Sequence, residues 1–281
     1  GLDAFKKNNG SSTVKRIYFT ATVPTKDMSA TKWEYIDNSG NYTQKEFEPS
    51  LKVYVKKSAE NAYKTATGWG HYANQISYKI PGEIKIAHQY GTFAREFDAD
   101  LGIYARENHE AGRIGAFITQ TAGMSTETDA TGVQTIKFIM KSINYGNTNV
   151  TDYDYVPAET GVLLESRSGE STPADFYYAI GEKDNVTYSL SHNIMEGVTV
   201  KDTKKQSSTS DPIFAMTPAG IFKPLKIGTD RTIPVHKAVA RPKVTLAASA
   251  KVMFVFDDGE NHNIVNAIDT IENNNVVDNN A

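Results

Sequence analysis

The 281-residue sequence contains no cysteine, which excludes thiol catalysis, disulfides, iron–sulfur clusters and cysteine-ligated zinc. It has no apolar run near the ~18 residues that a membrane-spanning helix needs, so we expect no transmembrane segment. Thirty basic and thirty-three acidic residues give a formal charge of −3, and basic runs such as VKRI and KDTKK are short. This balance argues against nucleic-acid binding, which usually requires clustered lysine and arginine.

Motifs for catalysis and cofactor binding are missing as well. The sequence has no GxSxG elbow, and its six histidines show no HExxH spacing. GWGHYA (68–73) matches the GxGxxA dinucleotide pattern in form, but β-rich sequence follows it and a short helix precedes it, so a turn is predicted instead. We therefore predict no catalytic, cofactor-binding or metal-ligating residue.

Residues typical of strands, by contrast, are abundant, and apolar positions alternate over short segments. In VKRIYFTATV (14–23), alternate residues from Ile17 to Val23 are apolar, and this period of two predicts a half-buried strand. VMFVF (252–256) is continuously apolar, so we predict a central strand that is covered on both faces. Similar β-like segments include LKVYV (51–55), QISYKI (75–80), GTFAREF (91–97), LGIYA (101–105), IGAFIT (114–119) and TIKFIMKSI (135–143).

These patterns predict an all-β protein with two β-sandwich-like domains, mainly antiparallel, and at most one or two short helices. SAENAYKTATG (58–68) is the best helix, with Ser58 as its cap and Gly68 at its end. The predicted segments are a disordered N-terminus (1–10), an N-terminal β domain (11–85), a C-terminal β-sandwich module (86–260) and an Asn-rich linker or tail (261–281).

Two stretches of the larger domain share a pattern: VPAETGVLLE (156–165) and IPVHKAVARP (233–242). Each begins with a β-branched residue and proline, passes through two polar positions and becomes apolar. Proline fixes its own backbone and pushes the preceding residue towards extended geometry. We interpret the pair as a repeated hairpin-like building block, and so as a marker of fold.

The order GTFAREFDADLGIYA, TIKFIMKSINYG, VPAETGVLLES, FYYAIG, IPVHKAVAR and VMFVFDDGE resembles a β-rich module of exported and surface proteins of Bacteroidetes-type gut bacteria. The resemblance covers roughly residues 86–260. It departs from that pattern at Val235 and His236, where alanine and glycine are common. It implies an all-β fold and export to the periplasm or cell surface, and we expect the chain at the cell surface or in the extracellular space. It supplies no catalytic residues.

A few residues are candidates for binding or modification. Trp33, Trp69 and Tyr72 lie in polar, turn-rich sequence, and exposed rings stack on sugars or anchor protein interfaces. We predict that Trp69, His71 and Tyr72 contact a ligand. The alternative is that both tryptophans belong to the core of the first domain. Thr270, in Asp-Thr-Ile, resembles an acceptor for O-glycosylation in these bacteria.

Calcium is the one cofactor that the sequence leaves open. Carboxylates cluster in FDADLG (97–102), TDYDY (151–155) and FDDGE (256–260), without the EF-hand spacing. The alternative is that aspartates in turns bond to nearby backbone groups.

The leading hypothesis for function is a non-enzymatic exported surface module for adhesion, assembly or display, with surface glycans or other surface proteins as partners. A carbohydrate-binding module of a glycan-utilising surface system is the first alternative, and a secreted hydrolase is the second. The N-terminal stretch GLDAFKKNNGSS has no signal-peptide h-region, so we expect any export signal to have been removed.

Overall fold

A computed structural model of the chain forms two compact units. Unit 1 comprises residues 1–80 and 179–182, and unit 2 comprises residues 81–178 and 183–281. The structure describes residues 14–24, 34–36, 42–44, 50–86, 89–108, 114–119, 125–132, 134–143, 155–166, 172, 174–182, 189–243, 245, 251–256 and 265–268.

Unit 1 contains a small parallel sheet, a two-stranded hairpin and short helices. Its strands are β1 (Arg16–Phe19), β2 (Glu34–Ile36), β3 (Tyr42–Gln44), β4 (Lys52–Val55) and β5 (Ile76–Ser77), and its helices are the 3₁₀ turn Lys57–Ala59, α1 (Glu60–Thr65) and the 3₁₀ segment Trp69–Gln75. The sheet order is β1-β4-β5, with both pairs parallel, and β2 pairs with β3. Its core consists of Val53, Val55, Tyr63, Trp69 and Ile76 with Phe19 packed against them.

The first strand is shorter than the alternation in residues 14–23 predicts. It ends at Phe19, and Val23 is 69 % exposed. β1 pairs residue by residue with Lys52–Val55, and the chain beyond Val55 turns into a 3₁₀ helix. Among the described strands, none therefore lies beside the residues after Phe19, and Val23 gains no core.

The predicted helix at 58–68 is present but shorter, and Ser58 does not cap it. The α-helix spans Glu60–Thr65 without a side-chain cap. Ser58 instead donates from its backbone nitrogen and its hydroxyl to the carboxylate of Glu182, at 2.8 and 2.6 Å. Gly68 has φ +80°, a left-handed conformation that suits glycine after a helix.

Unit 2 holds most of the remaining strands. Strands β6 (Ile80–Pro81) and β14 (Tyr177–Ile180) fall at the unit boundaries. The others are β7 (Tyr90–Phe93), β8 (Ala99–Asp100), β9 (Ile114–Thr119), β10 (Ser125–Thr128), β11 (Gln134–Ser142), β12 (Tyr155–Val156), β13 (Val162–Ser166), β15 (Met195–Val198), β16 (Lys204–Gln206), β17 (Phe214–Met216), β18 (Phe222–Pro224), β19 (Asp230–Thr232), β20 (Lys237–Ala240), β21 (Lys251–Phe256) and β22 (Val265–Ile268), with one helix, α2 (Ile103–Asn108).

Two sheets of unit 2 form a sandwich. The larger has the order β22-β21-β11-β9-β13-β7, with β10 beside β11, and the smaller has the order β15-β20-β17-β18. One core cluster joins them: Tyr90, Phe117, Phe138, Met140, Leu163 and Phe254 come from the larger sheet, and Met195, Phe214, Phe222, Ala238 and Ala240 come from the smaller. The predicted all-β class with mainly antiparallel sheets and short helices is confirmed.

Three segments differ in detail from the sequence-based predictions. LGIYA, predicted as a strand, opens helix α2, because the adjacent residues Ile103 and Tyr104 are both buried and the Asp100 carboxylate accepts from the Gly102 backbone nitrogen at 3.1 Å. β21 is central, between β22 and β11, as predicted, but among residues 253–256 only Phe254 is fully buried and the others are half-buried. Within 261–281, Val265–Ile268 forms a strand that pairs with β21.

The described helices are all short. None of them has the length and hydropathy that a helix needs to cross a membrane.

Candidate functional site

The two proline stretches have the same backbone signature. Each has a non-glycine residue with positive φ two positions after its proline: Glu159 follows Pro157 with φ +62°, and His236 follows Pro234 with φ +65°. Each stretch then enters a strand, β13 or β20. The two stretches therefore share a left-handed residue at the same position, so the repeat in sequence is also a repeat in backbone conformation.

Both turns contact one short segment, residues 94–96. The Glu159 backbone nitrogen donates to the Arg95 carbonyl at 2.6 Å, and the Ala94 backbone nitrogen donates to the His236 carbonyl at 3.3 Å. The His236 backbone nitrogen donates to the Val198 carbonyl at 2.6 Å. The segment after β7 is therefore held between the two turns by backbone hydrogen bonds.

Two glycines allow the chain to approach itself beside the first turn. A Cβ added to Gly161 would lie 2.7 Å from the Met195 carbonyl oxygen, and one added to Gly197 would lie 2.6 Å from the Glu159 carbonyl oxygen. Real Cβ contacts of this length essentially do not occur. Only glycine fits at these two positions because the backbones themselves are in contact.

Arg95 is the charged centre of this region. Its side chain is 1 % exposed and donates to Glu96 through Nε at 3.1 Å and Nη2 at 2.9 Å. Nη1 donates to the Tyr178 hydroxyl at 2.8 Å and to Glu83, and the same hydroxyl donates to Glu83. A buried guanidinium with two carboxylates has its charge and donors satisfied, as burial requires.

The carboxylate of Glu96 joins this cluster to the second turn. His236 Nε2 lies 3.2 Å from Glu96 Oε2. Burial by itself would raise the pKa of Glu96, but hydrogen bonds from His236 and Arg95 outweigh it and lower this pKa to about 2. Glu96 is therefore ionised at any physiological pH.

A second ionic cluster lies on the smaller sheet. Arg241 donates to Asp211 through Nε at 2.8 and 3.0 Å and again through Nη2, and its Nη1 lies 3.2 Å from Glu196. Glu196 also accepts from Lys205. Burial would raise the pKa of Glu196, yet the hydrogen bonds and charges of Lys205 and Arg241 lower it. The hydrogen bond from Arg241 lowers the pKa of Asp211.

Two cavities flank these clusters in unit 2. The first, about 180 Å³, lies between residues 83–86, β7 and the turn at Val235–Lys237. The second, about 370 Å³, is more polar and is lined by Asn193, Glu196, Thr199, Arg241 and Lys243 among others. Glu83 lines the first cavity, Glu159 and Glu196 line the second, and both Glu83 and Glu196 accept from arginine.

The predicted contact of Trp69, His71 and Tyr72 falls in unit 1, where its members differ in exposure. Trp69 is 4 % exposed and packs edge-on against Phe19 and Tyr63, with ring centroids 5.4 and 5.2 Å apart. His71 is exposed and Tyr72 is half-buried, and their rings lie 5.2 Å apart at right angles. Trp69 thus fills the core, and only His71 and Tyr72 offer ring surface. Trp33 and Thr270 lie outside the described residues.

The aspartates weighed for calcium that the structure describes have local partners. Asp98 accepts from the Ala158 backbone nitrogen at 2.8 Å, and Asp100 accepts from Arg106 and from the Gly102 nitrogen. The acidic residues of TDYDY and FDDGE lie outside the described residues. Within the described ranges, no three histidine or acidic side chains are grouped as metal ligands would be.

Arg95 and Lys237 were not predicted as site residues. Arg95 stands in an ordinary strand-like segment, and its partners are 12 and 83 residues away in sequence, at Glu83 and Tyr178. Only the repeat pointed to this place, because it singles out the turns that contain Glu159 and His236.

Comparison with protein-family models found no match, and comparisons with curated proteins and with solved structures found none either.

Proposed function

We propose that this chain is a non-enzymatic module of an exported protein, which serves adhesion, assembly or display at the cell surface. The observation that carries the proposal is that the Glu96 carboxylate, where the two proline turns meet, lies in ion pairs with Arg95 and His236. Glu96 has a pKa of about 2, because Arg95 and His236 bond its charged form.

Carboxylates that act as general acids or bases have the opposite electrostatics. A general acid needs a raised pKa, and a general base works best with a pKa near the operating pH. Glu96, Glu196 and Asp211 all have lowered pKa values and lie in ion pairs with arginine. These side chains hold turns and strands together, which suits a rigid module whose outer surface does the work.

Glycan binding is the second candidate, and one feature of unit 1 favours it. His71 and Tyr72 present neighbouring rings outside the core, although Trp69 is buried beneath them. Rings of this kind stack on sugar faces. In this version, Tyr72→Ala abolishes sugar binding while Trp69→Phe leaves it intact.

The test measures attachment and turnover side by side. Beads coated with the protein are passed over immobilised glycans and surface proteins, with heat-unfolded protein as the control. We expect retention that needs the folded chain, and protease accessibility of the protein on intact cells that produce it. Hydrolysis of a glycan, peptide or ester substrate that is lost in Glu96→Gln or Glu196→Gln would contradict the proposal and favour a secreted hydrolase.

A further inference from the structure

The smaller cavity of unit 2 has a polar end and an apolar wall. The wall is formed by the buried side chains Ile84, Ile86, Phe93 and Leu164. At about 180 Å³ it is below the ~300–1,000 Å³ of drug-sized sites, so it has room for a ligand of a few heavy atoms.

Lys237 lies at the polar end without a counter-charge. It is half-buried at the first position of β20, and within the described residues its ammonium group has no hydrogen bond or ion pair. Burial lowers the pKa of Lys237, because it disfavours the charged ammonium group. Arg95, Lys205 and Arg241, in the same unit, each bond a carboxylate. Burial of an uncompensated charge is costly, so this site favours an anion.

Thr92 adds a second donor to the cavity. Its side chain is buried, and its Oγ1 accepts from the Ala238 backbone nitrogen at 3.1 Å. That bond uses an oxygen lone pair and leaves the hydroxyl hydrogen to donate. In the part of the chain that the structure describes, this hydrogen has no acceptor.

The acidic residue on the cavity wall does not neutralise Lys237. Glu83 accepts from Arg95 and from the Tyr178 hydroxyl, and within the described residues no hydrogen bond or ion pair joins it to Lys237. His236, also on the wall, bonds Glu96. Lys85 is exposed and adds a further positive charge.

We propose that this cavity binds a small carboxylate with a short apolar tail. The carboxylate accepts hydrogen bonds from the Lys237 ammonium and the Thr92 hydroxyl, and the tail packs against Ile84, Ile86 and Leu164. A ligand of about six heavy atoms gives a dissociation constant on the order of 1 mM. The carboxylate belongs to a free small molecule, or it is the side chain of an acidic peptide.

The experiment titrates the full 281-residue chain with butyrate and follows amide shifts by NMR. We expect saturable shifts centred on Gly91, Thr92 and Lys237, and none with butyramide, which has the same shape without the charge. Lys237→Met keeps the apolar stem and should weaken binding by roughly 10-fold or more, because a hydrogen bond to a charged group is lost. Lys226→Met, at an exposed position away from the cavity, should bind butyrate as the unmodified protein does.

A capped acidic peptide identifies the source of the carboxylate. Displacement of butyrate by a Glu-containing tetrapeptide at lower concentration assigns the site to a peptide side chain, and failure to displace assigns it to a free carboxylate. No saturable shift up to about 50 mM, far above the ~1 mM expected, overturns the proposal. So do equal binding of butyramide, shifts centred elsewhere, or unchanged affinity in a folded Lys237→Met variant.

Lys237→Met also has a readout that needs no ligand. Without ligand, removal of an unpaired half-buried charge should raise the melting temperature, and saturating butyrate should stabilise the unmodified protein but not the variant. A variant that melts lower than the unmodified protein would show that Lys237 has a structural partner, and would overturn the proposal.

Discussion

Replacement of Gly161 by alanine should destabilise the sandwich of unit 2 through a clash between backbones. The new Cβ would lie 2.7 Å from the Met195 carbonyl oxygen and 2.8 Å from the Gly197 nitrogen. Both atoms belong to the main chain, so no side-chain rotation relieves the contact. The turn that carries Glu159 must then move away from β15.

The size of the effect follows from two opposing contributions. Overpacking of a tight site costs about 1–3 kcal/mol, and Gly→Ala returns about 0.4–1 kcal/mol by restricting the unfolded chain. We expect the difference, a loss of about 1–2 kcal/mol in the free energy of unfolding, for Gly161→Ala. Gly197→Ala opens the same contact from the other side, where its Cβ would lie 2.6 Å from the Glu159 carbonyl oxygen. The double variant should therefore cost less than the sum of the two.

Urea unfolding followed by far-UV circular dichroism, with calorimetry to separate the two units, measures this difference. Gly132→Ala is the matched control: Gly132 has φ +83° but nothing within 4 Å of an added Cβ. Alanine there bears only the conformational penalty, about 1 kcal/mol. Gly161→Ala as stable as the unmodified protein, or more stable than Gly132→Ala, would refute the argument.

Three further predictions concern single side chains. The Tyr63 hydroxyl is buried without a partner within the described residues, so Tyr63→Phe should raise the free energy of unfolding by about 1 kcal/mol. Tyr178→Phe loses bonds to Arg95 and Glu83 and should lower it. The reverse order of the two variants in chemical denaturation would contradict this. Glu159→Asn should stabilise by about 0.5–1 kcal/mol because asparagine tolerates positive φ, and Glu159→Ala should not; equal melting temperatures of the two variants would count against strain at this turn. The folded pKa of Glu96 is lowered from 4.5 to about 2, so its contribution is complete above pH 4.5 and is lost as pH falls towards 2. For a half-exposed carboxylate this contribution is about 1 kcal/mol, and Glu96→Gln should flatten the pH dependence of stability in that window; an unchanged slope would exclude the assignment.

Alternation of apolar residues predicts the strands well where both neighbours in the sheet are present. IGAFIT is strand β9 at the predicted residues, and the predicted segment TIKFIMKSI forms most of β11, where Phe138 and Met140 are buried on one face. The pattern fails at Val23, because none of the described strands lies beside it, and at LGIYA, where buried Ile103 and Tyr104 are adjacent on a helix. Local sequence cannot show which segments find a partner.

The candidate site depends even more on distant partners. The proline repeat indicates the two turns, but it does not show that both contact residues 94–96. Arg95 and Lys237 look alike in sequence, yet one is saturated by two carboxylates and the other has none within the described residues. Trp69, with polar neighbours in sequence, is buried because Phe19 and Tyr63 reach it from other elements.

The parallel pairing of β11 with β21 determines when unit 2 can finish folding during synthesis. Thr135 pairs with Lys251, on the order of 100 residues later in the chain, and β9 and β10 pair with β11 well before then. At about 5–20 residues per second, the ribosome needs roughly 5–20 s to supply β21 after β11 has emerged. Throughout that interval β11 keeps one edge of unpaired backbone N–H and C=O groups, and such an edge can pair with other chains. The yield of soluble protein should therefore depend more on how crowded the nascent chains are during that interval than on the stability of the final fold.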